Sequence, residues 1–463
     1  IGRRGNDPHR FLSVFFQTAQ GFKPKPDQTV EVPPSACCRF VADLDPASPG
    51  LEIGFIGTHG AFCFTAKGRV FDASRPKRLF DEESFFDIAP GTQLPDWDPL
   101  VKDVDGDGRA DILFPRKGSF ALWKQGADGA FARAADLPVE YNQHFGTAIE
   151  TLLLNRFINY RAGLSRPAYA DIDGSRKLDL VTYRDGRLDV FLQKPGAAAV
   201  FGRDPDRTMS IENLTEKDAS GGGDDSYNSV NAEFADVDGD GHADVVLYRN
   251  VGKVGLFESM RTQVLFYRAR PKTGWNAQKP DQVVNLKGLS INPALIDVDK
   301  DGAKDLVVSS LRTDLVTNAK RALFSNVTIT YYVFRYDKKG GKFHEVPDYS
   351  RDLSIDVSRI EGGGTIPVAN FSGDYDGDGY PDLLSLEKTD EVRILPGKIE
   401  SGFFSGEKLD YDEGDETAVQ IETSNSVVID DLNHDGKSDF LFWYFDPNWE
   451  SKERGTVKVA VSR

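Results

Sequence analysis

Sulfur and imidazole are scarce in this chain: its 463 residues include three cysteines, two methionines and six histidines. Cys37, Cys38 and Cys63 permit at most one bridge, from the adjacent pair to Cys63, with one thiol left over. A scaffold built on disulfides is thereby excluded. Two histidines, His242 and His434, fall inside acidic loops, and His9, His59, His144 and His344 are scattered. The sequence holds no Gly-x-Ser-x-Gly elbow, no His-Glu-x-x-His pair and no phosphate-binding loop, so no familiar catalytic constellation is legible. Basic residues are also short, 56 against 73 acidic ones, and the net charge of −17 excludes the basic surface that nucleic acid requires. No apolar run reaches the length of about 18 residues that a membrane-spanning helix needs. The chain starts at Ile1 with neither methionine nor an apolar leader. That start reads as the mature part, or a trimmed form, of a secreted protein.

Glycine (44), proline (24), 11% aromatics and a mean hydropathy of −0.42 describe a turn-rich, water-soluble, all-β composition. One nine-residue stretch organises it: Asp103-Val104-Asp105-Gly106-Asp107-Gly108-Arg109-Ala110-Asp111, followed by Ile112-Leu113-Phe114. Acidic side chains at alternate positions gather on one side of a tightening loop, and Gly108 permits the positive φ that turns it inward. Oxygen-only donors on such a loop suit a hard cation of Ca²⁺ size. The expected ligands are side-chain oxygens of Asp103, Asp105 and Asp107, the carbonyl of Arg109 and the carboxylate of Asp111.

The stretch recurs. Equivalent ligand sets are Asp236, Asp238, Asp240, His242 (carbonyl) and Asp244; then Asp297, Asp299, Asp301, Ala303 (carbonyl) and Asp305. Two more are Asp374, Asp376, Asp378, Tyr380 (carbonyl) and Asp382, and Asp431, Asn433, Asp435, Lys437 (carbonyl) and Asp439. Two copies are degenerate. Asp171-Ile172-Asp173-Gly174-Ser175 runs to Asp179 with Arg176 in place of glycine, and Asp43-Leu44-Asp45 passes through Pro46 and Pro49 to Glu52, one residue too long. First aspartates at 43, 103, 171, 236, 297, 374 and 431 make a seven-fold repeat of about 66 residues. Five divalent ions, ten positive charges, would bring −17 to −7. Modest sites of this kind fill at the free calcium found outside the cytosol.

Each loop leads into a short apolar run such as Val245-Val246-Leu247-Tyr248 or Phe440-Leu441-Phe442-Trp443, which reads as a strand buried on both faces. A small-residue strand precedes each loop, as in Ala168-Tyr169-Ala170. A third strand follows a turn, with Asp185-Gly186 marking a two-residue hairpin, and a more polar fourth completes the unit, as in Asp281–Leu286. Four antiparallel strands repeated seven times predict a seven-bladed β-propeller spanning 1–463 as a single domain. The last repeat ends after its third strand, Thr456–Val461, so the N-terminal strand Gln28–Val32 is expected to complete that blade and close the ring. Leu12–Phe16 is then surplus, an added outer strand or part of an eighth blade. Thr147–Tyr160 reads as a short helix or added strand, and Ala219–Asn231 as an inserted loop.

The motif Asp-x-Asp-x-Asp-Gly-x-x-Asp followed by an apolar strand resembles the FG-GAP/VCBS repeats of the integrin α-chain propeller, over essentially the whole chain. That resemblance implies loops joining the first and second strands of each blade, about five structural Ca²⁺, and a secreted, cell-surface or periplasmic binding, adhesion or assembly scaffold for a protein or glycan. An EF-hand fails, because its twelfth loop position must be glutamate and here holds Phe114, Leu247, Val308, Ser385 and Phe442. Dockerin-like repeats are closer together and helical. The alternatives to a non-catalytic scaffold are a carbohydrate-active lyase or dehydratase of propeller type, and a propeller lectin. For a lectin the candidate stacking residues are Trp97, Trp123, Trp275, Trp443 and Trp449. Trp443 reads as core, Trp275 and Trp449 as exposed, and no tryptophan recurs at one place in every blade. Sequons stand at Asn213 and Asn326.

Overall fold

A computed structural model describes residues 2–3, 9–18, 21–47, 50–87, 94–150, 155–184, 186–194, 200–210, 230–251, 261–270, 274–276, 278–311, 326–356, 370–388, 391–402, 406–411, 417–420, 426–444 and 456–462. Among these, regular structure is β throughout apart from one 3₁₀ turn, Asp98–Leu100. The arrangement is that of a β-propeller with six four-stranded antiparallel blades. By contact the chain divides into two compact units, 1–212 and 213–463.

Unit 1–212 holds three of the blades. The first consists of Ala36–Ala42, Glu52–Gly57, Gly60–Lys67 and Val70–Phe80, and the second of Val101–Lys102, Asp111–Arg116, Ser119–Gln125 and Phe131–Pro138. The third follows with Ala168–Ala170, Asp179–Arg184, Arg187–Phe191 and Arg207–Ser210. Its Arg184 pairs with Arg187 across a two-residue turn in which Gly186 has φ 73°, as the Asp-Gly signal requires.

Unit 213–463 holds three more. Val230–Ala235, Asp244–Val251, Arg261–Tyr267 and Gln282–Lys287 form the fourth; Leu289–Ile296, Asp305–Leu311, Asn326–Phe334 and Tyr349–Asp356 form the fifth. The sixth is Asn370–Gly373, Asp382–Lys388, Glu391–Leu395 and Thr417–Gln420. The seventh repeat, Ser426–Asp430, Asp439–Tyr444 and Thr456–Ala460, forms a sheet of three strands among the described residues, not the expected four.

Second strands are buried on both faces, as their unbroken apolar runs demand: every residue of Glu52–Gly57 and five of the six in Asp111–Arg116 are buried. Side chains of neighbouring sheets interleave. Phe80 stacks on Trp123 at 4.1 Å between the first and second blades, and Phe266 meets Tyr336 and Phe343 edge-on beside the fourth.

The N-terminus does not make the closure expected of it. Gln28–Val32 pairs with Arg10–Val14, and together with Gly2–Arg3 they form a separate three-stranded sheet. Val30 and Val32 bury themselves against Ile53, Phe55, Phe62 and Phe64 of the first blade. The Gln28 side chain also bonds both backbone groups of Phe71, at 2.6 and 2.8 Å. An adjacent apolar partner in sequence wins over a distant one because its loop-closure entropy is smaller.

The segment read as helix or strand is strand: Tyr141–Glu150 pairs with Asn155–Leu164. The Ala219–Asn231 insertion, apart from its last two residues in Val230–Ala235, lies outside the described residues, as do Trp449 and Asn213, while Asn326 opens a strand. The three cysteines are free thiols in the first-blade core rather than a bridge. Burial pushes Cys37 up to about 11 and Cys38 and Cys63 to about 12, which keeps them inert.

Candidate metal centres

Every strong loop joins the first and second strands of its blade, and its ninth-position acid is the first residue of the second strand. That acid is a staple. One oxygen of Asp111 accepts the Val104 amide (3.2 Å) and the other accepts the Gln125 amide (3.1 Å), at the end of the third strand. The same pair of bonds recurs at Asp179 (Ile172, Gln193), Asp244 (Val237, Ala269), Asp305 (Val298, Tyr336), Asp382 (Tyr375, Gly397) and Asp439 (Leu432, Ser462). Each of these six carboxylates is at most 1% exposed. In the first repeat Glu52 takes the role in part: one oxygen accepts the Leu44 and Asp45 amides, and the other is buried without a donor.

The first-position acid is held by the loop's own amides. Asp103 accepts those of Gly106, Asp107 and Gly108 at 2.8–3.0 Å. This wrapping needs left-handed backbone at two positions, not the single one read from Gly108. Position four is left-handed at Gly106, Gly174, Gly239, Lys300, Gly377 and His434, and position six at Gly108, Arg176, Gly241, Gly302, Gly379 and Gly436. Lys300, Arg176 and His434 adopt φ of 59–62°, which costs a side-chain-bearing residue about 1 kcal/mol.

The result is five convergent acid groups: Asp103, Asp105, Asp111; Asp171, Asp173, Asp179; Asp236, Asp238, Asp244; Asp297, Asp299, Asp305; and Asp374, Asp376, Asp382. Their candidate ligand oxygens lie within 4.8 Å of one another. These five are not the five read from the motif. The degenerate loop at 171 assembles its acids like the others, because positions one, three and nine are intact. The loop at 431 gathers fewer acids because Asn433 stands at position three; Asn433 Oδ1 accepts the Asp435 amide at 2.9 Å.

Position-five acids stand outside these groups and cap the amide two residues on, as Asp107 does for Arg109, Asp240 for His242, Asp301 for Ala303, Asp378 for Tyr380 and Asp435 for Lys437. Asp43, Asp45 and Glu52 form no such group among the described residues, and Lys77 lies 3.2 Å from Asp45.

The donor set fits a divalent cation. Asp105 Oδ1 and Asp297 Oδ1 are buried with no hydrogen-bond donor, a costly state unless a positive charge faces them. All donors are oxygen, as Ca²⁺ prefers.

Burial, opposed by the two amide bonds, pushes the closing acids up: Asp111, Asp179 and Asp382 to about 6, Asp244 to about 7 and Asp305 to about 8. These lie above the unfolded value of about 3.9. The metal-free folded state therefore holds protons that the unfolded chain lacks, and the stability they contribute is lost as pH rises through about 6 to 8. A cation needs those protons gone. In chelator, the melting temperature is expected to fall between about pH 5 and pH 8, while the increment added by calcium grows over the same interval. Thermal melts at both pH values, with and without calcium, check this; a calcium increment that shrinks as pH rises would contradict it.

Of the tryptophans, Trp275 is half-buried rather than exposed, and its Nε1 donates to the carbonyl of Ala243 at 2.9 Å, roofing the loop at 236. Trp97 donates to the Leu113 carbonyl and stacks on Phe120, and Trp123 stacks on Phe80, both half-buried at the edge of the core. Trp443 lies on a second strand. Among the described histidines, His9, His59 and His344 each pair with one acid, Glu31, Glu83 and Asp348, and none joins a nucleophile. A cavity of about 490 Å³ adjoins the loop at 236, with Asp240, Arg268, Arg270, Asp281, Gly341 and Lys342 in its wall.

No protein-family model matches the sequence, and no curated protein matches it significantly. Among solved structures, a lectin from Agrocybe aegerita that recognises non-reducing terminal N-acetylglucosamine aligns over 92% of this chain and 85% of its own, with 15% identity and a TM-score of 0.43. A candidate 6-phosphogluconolactonase from Bacteroides uniformis aligns over 90% and 97%, with 11% identity and a TM-score of 0.36. No helix among the described residues is long and apolar enough to cross a membrane.

Proposed function

We propose that this chain is a calcium-stapled propeller of FG-GAP/VCBS type, working outside the cytosol, at a cell surface or in a periplasm, as a non-catalytic binding or assembly scaffold. Its partner is a protein or a glycan. The observation that carries this reading is the repeated convergence of positions one, three and nine on the loop between the first two strands of a blade. The metal would be held by Asp103, Asp105 and Asp111, with Asp107 and the Arg109 carbonyl completing the set, and by the equivalent residues of the loops at 236, 297, 374 and 431. The loop at 171 joins them. Calcium there neutralises buried carboxylates and fixes the turns; each loop supplies most of the donors, which leaves the metal a structural role.

The cavity beside the loop at 236 favours the glycan branch, since its mixed carboxylate, guanidinium and ammonium wall suits hydroxyl-rich ligands. A glycan array and a pull-down from intact cell surfaces, each run with calcium and with chelator, test the reading. Capture of a defined partner that chelator abolishes is the expected result. Turnover of a saccharide by the purified chain would instead establish the enzyme alternative.

A further inference from the structure

We propose that the residue standing just before the amide that caps each closing acid sets the cation affinity of its loop, dividing the loops into two classes. This rests on the metal reading above. In three blades that residue is basic and pairs with the position-three acid. Lys124, before Gln125, contacts Asp105 Oδ2; Arg268, before Ala269, contacts Asp238 Oδ2; Arg335, before Tyr336, lies 3.1 Å from Asp299 Oδ2. In the other three it carries no charge: Leu192 before Gln193, Pro396 before Gly397 and Val461 before Ser462.

Neither class is legible in the motif. The loops at 103, 236 and 374 all read Asp-x-Asp-Gly-Asp-Gly, yet the first two hold a fixed positive charge against a ligand oxygen and the third has Pro396 in that place. Among the described residues no ion pair reaches Asp173 or Asp376. Lys300, from the preceding loop, stands 5.4 Å over the Tyr380 ring at position seven, and its charge acts on Asp378 at position five rather than on the position-three acid. The first repeat carries the same device from another strand, with Lys77 on Asp45.

An ammonium or guanidinium beside one ligand oxygen opposes an incoming divalent ion, and at Asp105 and Asp299 its hydrogen bond also occupies a lone pair the ion would use. Affinity at such loops follows the charge of the ligand set, so each fixed cation is expected to weaken its own loop roughly tenfold. It also lets the loop keep its shape without metal. The loop at 374, with four acids and no basic residue on Asp376, fills in the earlier wave. The loops at 103, 236 and 297 fill at higher calcium.

The test uses the full chain, stripped with chelator and titrated with calcium chloride, with bound ions counted by native mass spectrometry and affinities read by calorimetry. Wild type is expected to fill in two waves. Lys124→Met and Arg268→Met, which keep an apolar stem, should each move one ion from the later wave to the earlier. Leu192→Lys should move one ion the other way. Melts in chelator confirm that each variant folds, and a variant that does not is set aside in favour of the remaining two. Calcium binding with one uniform affinity, untouched by these substitutions, overturns this proposal and leaves the metal reading standing. No calcium binding to wild type at millimolar concentration overturns both.

Discussion

Stripping calcium from the folded protein is expected to lower its melting temperature by about 13 °C. A ligand that binds only the folded state adds about 2.7 kcal/mol per site when its concentration is one hundred times Kd. The five convergent acid groups alone give about 13 kcal/mol, and a chain of this size loses roughly 1 kcal/mol of stability per degree near its midpoint. The groups responsible are buried carboxylates such as Asp305 and orphaned oxygens such as Asp297 Oδ1, which the metal-free state leaves either protonated or unpaired. Differential scanning calorimetry in 2 mM calcium (about the extracellular level) against excess chelator measures the shift. Identical melting curves in the two buffers would remove structural metal from the account.

Asp305→Ala is expected to be the most damaging single substitution in the fifth blade, and to be so even in chelator. Its two oxygens accept the amides of Val298 (2.9 Å) and Tyr336 (2.8 Å), both buried. Leaving a buried amide unsatisfied costs about 1–3 kcal/mol, so the loss of both approaches 4 kcal/mol, or about 8–10 °C for a unit of this size. Asp301→Ala in the same loop provides the contrast. Asp301 is exposed, caps the Ala303 amide and pairs with Lys338 at the surface, so in chelator its loss should cost under about 1 kcal/mol. Equal melting temperatures for the two variants in chelator would show that the ninth-position acid is a metal ligand and nothing more.

That contrast explains what could be read from the residues and what could not. Apolar runs after each loop announced strands buried on both faces, and Asp111 through Arg116 folds so. The spacing of loops gave the blade count to within the seventh sheet, whose described strands number three. Strand character, however, says nothing of a partner: Val30 and Val32 have the alternation of a strand whichever sheet they join, and the nearer hairpin took them. Within the loops, glycine at position six signalled a left-handed turn, whereas Lys300 and His434 at position four gave no such signal, since each carries the Cβ that disfavours that backbone. The loop at 171 looked unfit because Ser175 and Arg176 break the motif. Neither position belongs to the convergent group, so the break falls where ligation tolerates it. Trp275 looked exposed beside Gly274 because no local pattern encodes a hydrogen bond to Ala243 thirty-two residues away.

Neighbouring loops also lean on one another. The Lys304 amide donates to the Val237 carbonyl at 2.7 Å, the Ser438 amide to the Asp374 carbonyl at 2.6 Å, and the Gln193 side chain to the Val104 carbonyl. In each case a later repeat finishes the turn of the one before it. A repeat of this kind is therefore not an interchangeable cassette: deleting or transplanting one would leave its predecessor's bend unfinished.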